Sequence, residues 1–139
     1  MAKNDKYFQN VKEALQKEGW ITSSPLYLQS DEVVFKIDIF AERVILVAEN
    51  KKEQIAVEVK SFLNKSFIND FHDCTGQYRN YVTMLNEVKP TCKLWLAVPV
   101  DVYKNNFTNP FITRCTIVNN MSIVTFDPNI NRIIQWLPR

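Results

Sequence analysis

The sequence predicts an α/β domain in which a mixed β-sheet is covered on both faces by helices. Three observations carry that expectation. Apolar residues recur at helical spacing near the amino terminus and again between Ser66 and Leu85. Runs rich in β-branched and aromatic residues lie at 33 to 40, 54 to 62, 121 to 126 and 132 to 137. The stretch from 93 to 99 is almost wholly apolar, as in a strand buried on both sides. Helices alternating with strands on this scale are the pattern of layered α/β proteins.

From Asp5 to Lys17 the residues Tyr7, Phe8, Val11, Ala14 and Leu15 form one stripe, and Gly19 marks the stop of a first helix. Ser23-Ser24-Pro25 marks a bend in an extended segment that includes Tyr27 and Leu28. The runs at 33 to 40 and 54 to 62 are predicted to be neighbouring strands. Val44 to Val47 continue the first of them, and the polar Glu49-Asn50-Lys51-Lys52 places a hairpin tip near residues 48 to 51. The stripe Phe67, Phe71, Cys74, Tyr78, Val82 and Leu85 predicts a long helix closed by Pro90. After the buried strand, a helical connection runs through Val102, Tyr103 and Phe107, and Pro110 restarts a second short helix to about Val118. Two final strands meet at Asp127-Pro128-Asn129.

At 139 residues, the chain is long enough to bury a core and short for two ordinary domains, so a single domain over 1–139 is expected. Two glycines and six scattered prolines, with no low-complexity run, exclude a disordered or collagen-like chain. A net charge of +2 neither supports nor excludes a DNA partner. Cys74, Cys92 and Cys115 lack the spacing of a zinc site and read as small buried residues in a reducing compartment. Residues 1 to 19 do not have the pattern of a signal peptide, and no run approaches the roughly 20 apolar residues that span a bilayer. A cytoplasmic protein without membrane contact is the expectation.

Chemistry concentrates at three residues. On the strand around Glu58, side chains alternate, so Ala56, Glu58, Lys60 and Phe62 share one face while Ile55, Val57 and Val59 share the other. A tip at 48 to 51 brings Asp38 opposite Lys60 or within two residues of it, within cross-strand contact. Two carboxylates and an ammonium group would then converge. Hard carboxylate oxygens suit Mg²⁺, which polarises a phosphoryl oxygen and acidifies a bound water, while a lysine orients that water or offsets the developing charge. The competing reading is an ion pair on a solvated strand face. Helix-forming segments on both sides of the strand weigh against it, because covered charges need a partner, a metal or a task.

Ile37-Asp38-Ile39-Phe40-Ala41 followed by Ile55-Ala56-Val57-Glu58-Val59-Lys60-Ser61-Phe62 resembles the D…ExK core of the restriction-endonuclease-like nucleases, with Ile37 where a proline often stands. That resemblance implies a three-layer fold with a central mixed sheet flanked by helices, and a site in which Asp38 and Glu58 bind Mg²⁺ or Mn²⁺ and Lys60 assists. Gln77-Tyr78-Arg79-Asn80-Tyr81 is similar to the Q-x-x-x-Y motif of RecB-like members. Gln77 and Tyr81 share a helix face, so both could reach the site or the DNA backbone. Many nucleases of this fold act as dimers, which leaves a homodimer open.

Over nearly its whole length the chain also resembles the XisH family, the excision controlling factors of the fdxN element in cyanobacteria. The residues that carry this are Val11-Lys12 with Ala14-Leu15 before Gly19-Trp20, Ala56 through Leu63, Gly76-Gln77-Tyr78, Val98-Pro99 with Asp101-Val102-Tyr103, and Phe126-Asp127-Pro128 with Gln135-Trp136-Leu137-Pro138. The resemblance implies a part in the controlled removal of a DNA element beside a site-specific recombinase, with a small partner of the XisI type. A metal-dependent endonuclease is the first functional reading; a catalytically silent module that binds DNA or a partner protein is the second; a purely structural domain is the third.

Other residues were weighed for the same site. Glu13 resembles the helical glutamate that some nucleases of this fold add to the metal, against the simpler reading of a surface charge. Glu42 is an alternative ligand to Asp38. His72, the one histidine, is conceivable as a general base but reads as a packing or capping residue. Trp95 and Trp136 are assigned to the core, and Lys51 and Lys52 to a solvated hairpin tip with phosphate contact as the alternative.

Overall fold

A computed structural model describes residues 4–138. Helix α1 (Phe8–Lys17) buries Val11, Ala14 and Leu15, which recur at three- and four-residue spacing on one face. It ends where Gly19 takes φ +90°, and the Gly19 and Trp20 amides bond back to the Gln16 and Leu15 carbonyls at 3.0 and 3.2 Å. That pairing satisfies the last-turn acceptors through a left-handed residue, which glycine adopts without a Cβ clash. The helix begins later than Asp5, because Asp5 bonds the Tyr7 amide through its side chain and the Phe8 amide through its carbonyl. Asp5 is therefore a turn residue ahead of the helix.

The chain continues through β1 (Ile21–Ser23), β2 (Leu26–Ser30), β3 (Val33–Ile37), β4 (Ile39–Leu46) and β5 (Lys51–Val59). Helix α2 (Phe67–Val88) is capped by the Ser66 hydroxyl, which accepts from the Asn69 amide. Strand β6 (Cys92–Pro99) leads into α3 (Val100–Val102), a π-helical turn (Tyr103–Phe107), α4 (Pro110–Val118), β7 (Ile123–Asp127) and β8 (Arg132–Leu137). The Asn109 side chain caps α4 through the Phe111 and Ile112 amides, and Pro110 fits the first helical position, where no amide is needed.

Six strands form one mixed sheet in the order β1-β4-β5-β6-β7-β8, parallel at β5-β6 and β6-β7 and antiparallel elsewhere; β2 and β3 form a separate hairpin. Alternate residues of the central strands supply two cores. Ala56, Leu94, Leu96 and Val98 meet Phe71, Cys74, Tyr78 and Leu85 of α2, with Leu28 and Ile37 of the small hairpin. Ile55, Val57, Val59 and Ala97 meet Val11 and Leu15 of α1, with Trp95 and the half-buried Trp136 alongside. Helices on both faces of a mixed sheet make the three-layer, restriction-endonuclease-like fold that the sequence predicts.

Two expectations about the strands change. The run from 33 to 40 is not one strand beside β5: it breaks at Asp38, β3 pairing with β2 and β4 with β5. The β4–β5 tip lies at residues 47 to 50, with Asn50 at φ +53°, and a bulge follows Val44. Ile39 faces Val57, so the position facing Asp38 is Glu58, two residues from Lys60 and at the edge of the range the sequence predicts.

Tyr78 ties the layers together. Its buried hydroxyl donates to the Leu94 carbonyl at 3.1 Å and accepts from the Ser122 amide at 2.9 Å, joining α2 to β6 and the approach to β7. Tyr78→Phe leaves a buried carbonyl and a buried amide without partners, so the unfolding free energy should fall by about 1–3 kcal/mol. Urea denaturation monitored by tryptophan fluorescence measures this, and an unchanged midpoint would show that water replaces both bonds.

Candidate functional site

The site lies where the sheet divides. At Asp38 the chain leaves the small hairpin and enters the main sheet, and the gap in the strand turns its carboxylate toward β5. Asp38 Oδ2 accepts from the Val59 amide at 2.8 Å, and Glu58 Oε1 accepts from the Asp38 amide at 3.2 Å. Each acid thus grips the backbone beside the other. The reciprocal pair fixes the register at the break and brings the two carboxyl groups into hydrogen-bonding reach of each other.

Glu58 is 8% exposed and Asp38 is half-buried. Burial raises both carboxyl pKa values, and for Glu58 the neighbouring Asp38 charge adds to it, pushing that carboxyl up to about 8. For Asp38 the Val59 amide and the Lys60 ammonium oppose the rise, while the charge of Asp5 adds to it. Burial thus favours the protonated form at both acids, most strongly at Glu58. Lys60 stands one residue beyond β5, but its amide still bonds the Ala97 carbonyl at 3.0 Å, so the strand alternation carries through. Its Nζ lies 4.0 Å from Glu58 Oε2, with a third of the side chain exposed.

Tyr81 approaches from α2. It is buried, its hydroxyl donates to the Lys36 carbonyl at 3.1 Å, and burial together with the Glu58 and Asp38 charges raises its pKa. Gln77, half-buried, lies one turn earlier on α2, on the Tyr81 side of the helix. Asp38, Glu58, Lys60, Gln77 and Tyr81 therefore form one contiguous group, with Tyr81 holding the backbone two residues before Asp38.

The other candidates lie elsewhere. Glu13 accepts from the Asn131 amide group at the β7–β8 turn. Glu42 is four residues along β4, bonded to Gln54 and paired with Lys52 at 3.7 Å. His72 is exposed on the second turn of α2 and is neither packed in the core nor a cap, the cap being Ser66. Lys51 and Lys52 are exposed near the hairpin tip. Cys74 and Cys92 are buried thiols pushed up to about 12 and about 11 by desolvation, Cys115 is half-buried, and all three are free.

Asp5 has no place among the sequence candidates. Its Oδ2 accepts from the Ser61 amide at 2.8 Å, and with Lys60, Ser61, Phe62, Asn64, Asp70 and Asp73 it lines a cleft of about 260 Å³ beside the site. The local signal, an aspartate two residues before an amide it can cap, was present; the contact with Ser61 has no signal in the sequence. Among the described residues no three His, Cys, Asp or Glu side chains converge as a metal cage, and no helix is long and apolar enough to cross a membrane.

Comparison with known proteins accords with this geometry. The XisH protein family matches residues 1–134. The chain is 38% identical to an XisH family protein from Nostoc punctiforme PCC 73102, with a TM-score of 0.85 over 95% of this chain and 98% of that one. It is also 38% identical to an fdxN element excision controlling factor protein from Anabaena variabilis, with a TM-score of 0.84 over 94% and 97% of the two chains. No curated protein matches it.

The acid pair sets a pH dependence. The folded Glu58 carboxyl keeps its proton to about 8, whereas in the unfolded chain it releases it near the model-peptide value of 4.5. Folding takes up a proton between those values, so stability falls as pH rises from 4.5 to about 8. Glu58→Gln does not titrate. It should remove up to about 1.4 kcal/mol per pH unit of that fall and be more stable than the wild type at pH 8.5. Urea midpoints across the pH range measure this, and parallel slopes for the two proteins would show that Glu58 is ionised in the fold.

Proposed function

The chain belongs to the XisH family, and on that footing we propose that it controls the excision of a DNA element by means of a metal-dependent endonuclease site. The observation that carries this reading is the reciprocal Asp38–Glu58 pair with Lys60 at 4.0 Å. Excision control is what the Anabaena variabilis relative is described as performing. In this reading the partners are DNA, a site-specific recombinase and a small XisI-type protein.

The donor chemistry fits a hard divalent cation. Asp38 Oδ2 and Glu58 Oε1 are engaged by backbone amides, and among the described residues no backbone amide donates to Asp38 Oδ1 or Glu58 Oε2. Mg²⁺ commonly takes one or two carboxylates and keeps several waters, and Mn²⁺ accepts the same oxygens. Asp38 and Glu58 would hold it, and it would supply Lewis acidity toward a phosphodiester and an acidified water. Lys60 places a positive charge beside Glu58 Oε2, where it offsets charge developing on a phosphoryl oxygen. Tyr81 holds the Lys36 carbonyl and so fixes the entry to Asp38, with Gln77 behind it. Binding a cation would compete with protonation of the raised Glu58 carboxyl, so affinity should rise with pH up to about 8.

One observation favours the second reading, a catalytically silent module that binds DNA or protein. Two carboxylates without a third acidic or imidazole ligand make a lean metal site among the described residues. Calorimetry separates the two. Mn²⁺ titrated into the wild type at pH 8 should give saturable heat that is lost in Glu58→Ala and Asp38→Ala. With Mn²⁺, branched, nicked or single-stranded DNA should be cut, and Lys60→Ala should slow cutting by about 10²-fold. Equal silence of wild type and variants toward Mn²⁺, with DNA or partner binding retained, would establish the silent module instead.

A further inference from the structure

Immediately after Lys60 the chain turns in a way its residues do not favour. Phe62 has φ +54°, a left-handed conformation that costs a bulky L-residue free energy and persists only where neighbours impose it. The turn is held from three sides. The Lys60 amide is bonded to Ala97 of β6. The Phe62 ring packs against Phe67 and Phe107, with ring centroids 5.2 and 5.5 Å away. Between these, the Ser61 amide, in a residue 8% exposed, is bonded by the Asp5 carboxylate at 2.8 Å.

The third hold differs from the others because it comes from the segment ahead of α1, 56 residues away in sequence. Asp5 divides its two oxygens: Oδ1 takes the Tyr7 amide at 2.9 Å and Oδ2 the Ser61 amide. It is thereby fixed at the start of α1 and at the turn that carries Lys60. Its place on the wall of the cleft shared with Lys60 rather than between Asp38 and Glu58 makes it a clasp, not a ligand.

We infer that Asp5 is a positioning residue, whose bond to the Ser61 amide holds the turn that aims Lys60 at the Asp38–Glu58 pair. This rests on the nuclease reading only for its effect on cutting; the clasp itself is a property of the metal-free chain. Without the bond, the left-handed turn relaxes and Lys60 loses its fixed position beside Glu58. The reaction then keeps its substrate and metal contacts but loses alignment, which is a loss in kcat rather than in KM.

Two substitutions in the full chain separate the clasp from the local cap. Asp5→Ser keeps a short side chain able to bond the Tyr7 amide but too short to span to Ser61; Asp5→Glu keeps both oxygens. In the metal-free protein, Asp5→Ser should speed hydrogen exchange of the Ser61 amide by about tenfold and shift the Lys60 Cε resonance, with the urea midpoint near wild type. Asp5→Glu should restore both to near wild type. With Mn²⁺ and a cleavable DNA, Asp5→Ser should lower kcat by about tenfold at unchanged KM and unchanged Mn²⁺ affinity, and Asp5→Glu should recover it. Wild-type exchange and an unmoved Lys60 signal in Asp5→Ser overturn the clasp, as does an Asp5→Glu as defective as Asp5→Ser, or a drop in Mn²⁺ affinity that makes Asp5 a ligand. If the wild type cuts no DNA, the nuclease reading alone fails, and the metal-free arm decides the clasp.

Discussion

The bond from the Asp38 carboxylate to the Val59 amide, answered by the bond from the Asp38 amide to the Glu58 carboxylate, is the constraint on which the rest of the site depends. A strand that continued past Ile37 would carry β3 into the main sheet and leave the β2–β3 hairpin no partnership of its own. Breaking at Asp38 lets β3 close onto β2 over α2 while β4 enters the main sheet beside β5. The backbone groups freed by the break are satisfied by acidic side chains instead of a ladder partner. This is how a buried break in a sheet avoids the cost of orphaned amides.

The same device explains the electrostatics. Carboxylates that accept backbone amides are ordinarily held low, yet here desolvation outweighs the amides and both acids rise. Lys60, with a third of its side chain in solvent and 4.0 Å from the nearer carboxylate oxygen, offsets only part of the penalty. The two acids thus have less positive charge beside them than full ionisation of both would need, which is why both carboxyls are raised.

Much of this was legible in the sequence where the signal was local. Strand β6 was read to within a residue because both its faces are apolar, and α4 because Pro110 and Val118 bracket it. The alternation that puts Glu58 and Lys60 on one side was legible for the same reason, since it needs only a regular strand. The break at Asp38 was not, because residues 33 to 40 contain neither glycine nor proline and read as one β-rich run; the cause is a side chain reaching the amide of Val59, 21 residues on. The hairpin tip lies one residue earlier than the polar run suggests, and with the bulge after Val44 this sets Asp38 opposite Glu58, the near edge of the expected range. The Asp5 contact has no such signal: in the sequence Asp5 is the first residue of a helical stripe, and nothing points from it to Ser61, 56 residues on.

Burial also discriminates between an employed and an idle site. An ion pair on a solvated strand face would show exposed, mobile groups worth little to stability. Glu58 is instead 8% exposed and lies against a second acid. The break itself needs only one acceptor oxygen from each acid, Asp38 Oδ2 for the Val59 amide and Glu58 Oε1 for the Asp38 amide. The second oxygen of each acid has no backbone donor among the described residues, and that of Glu58 lies on the side of Lys60. The energetic cost of the site, and any affinity for the cation proposed above, would follow from the same burial.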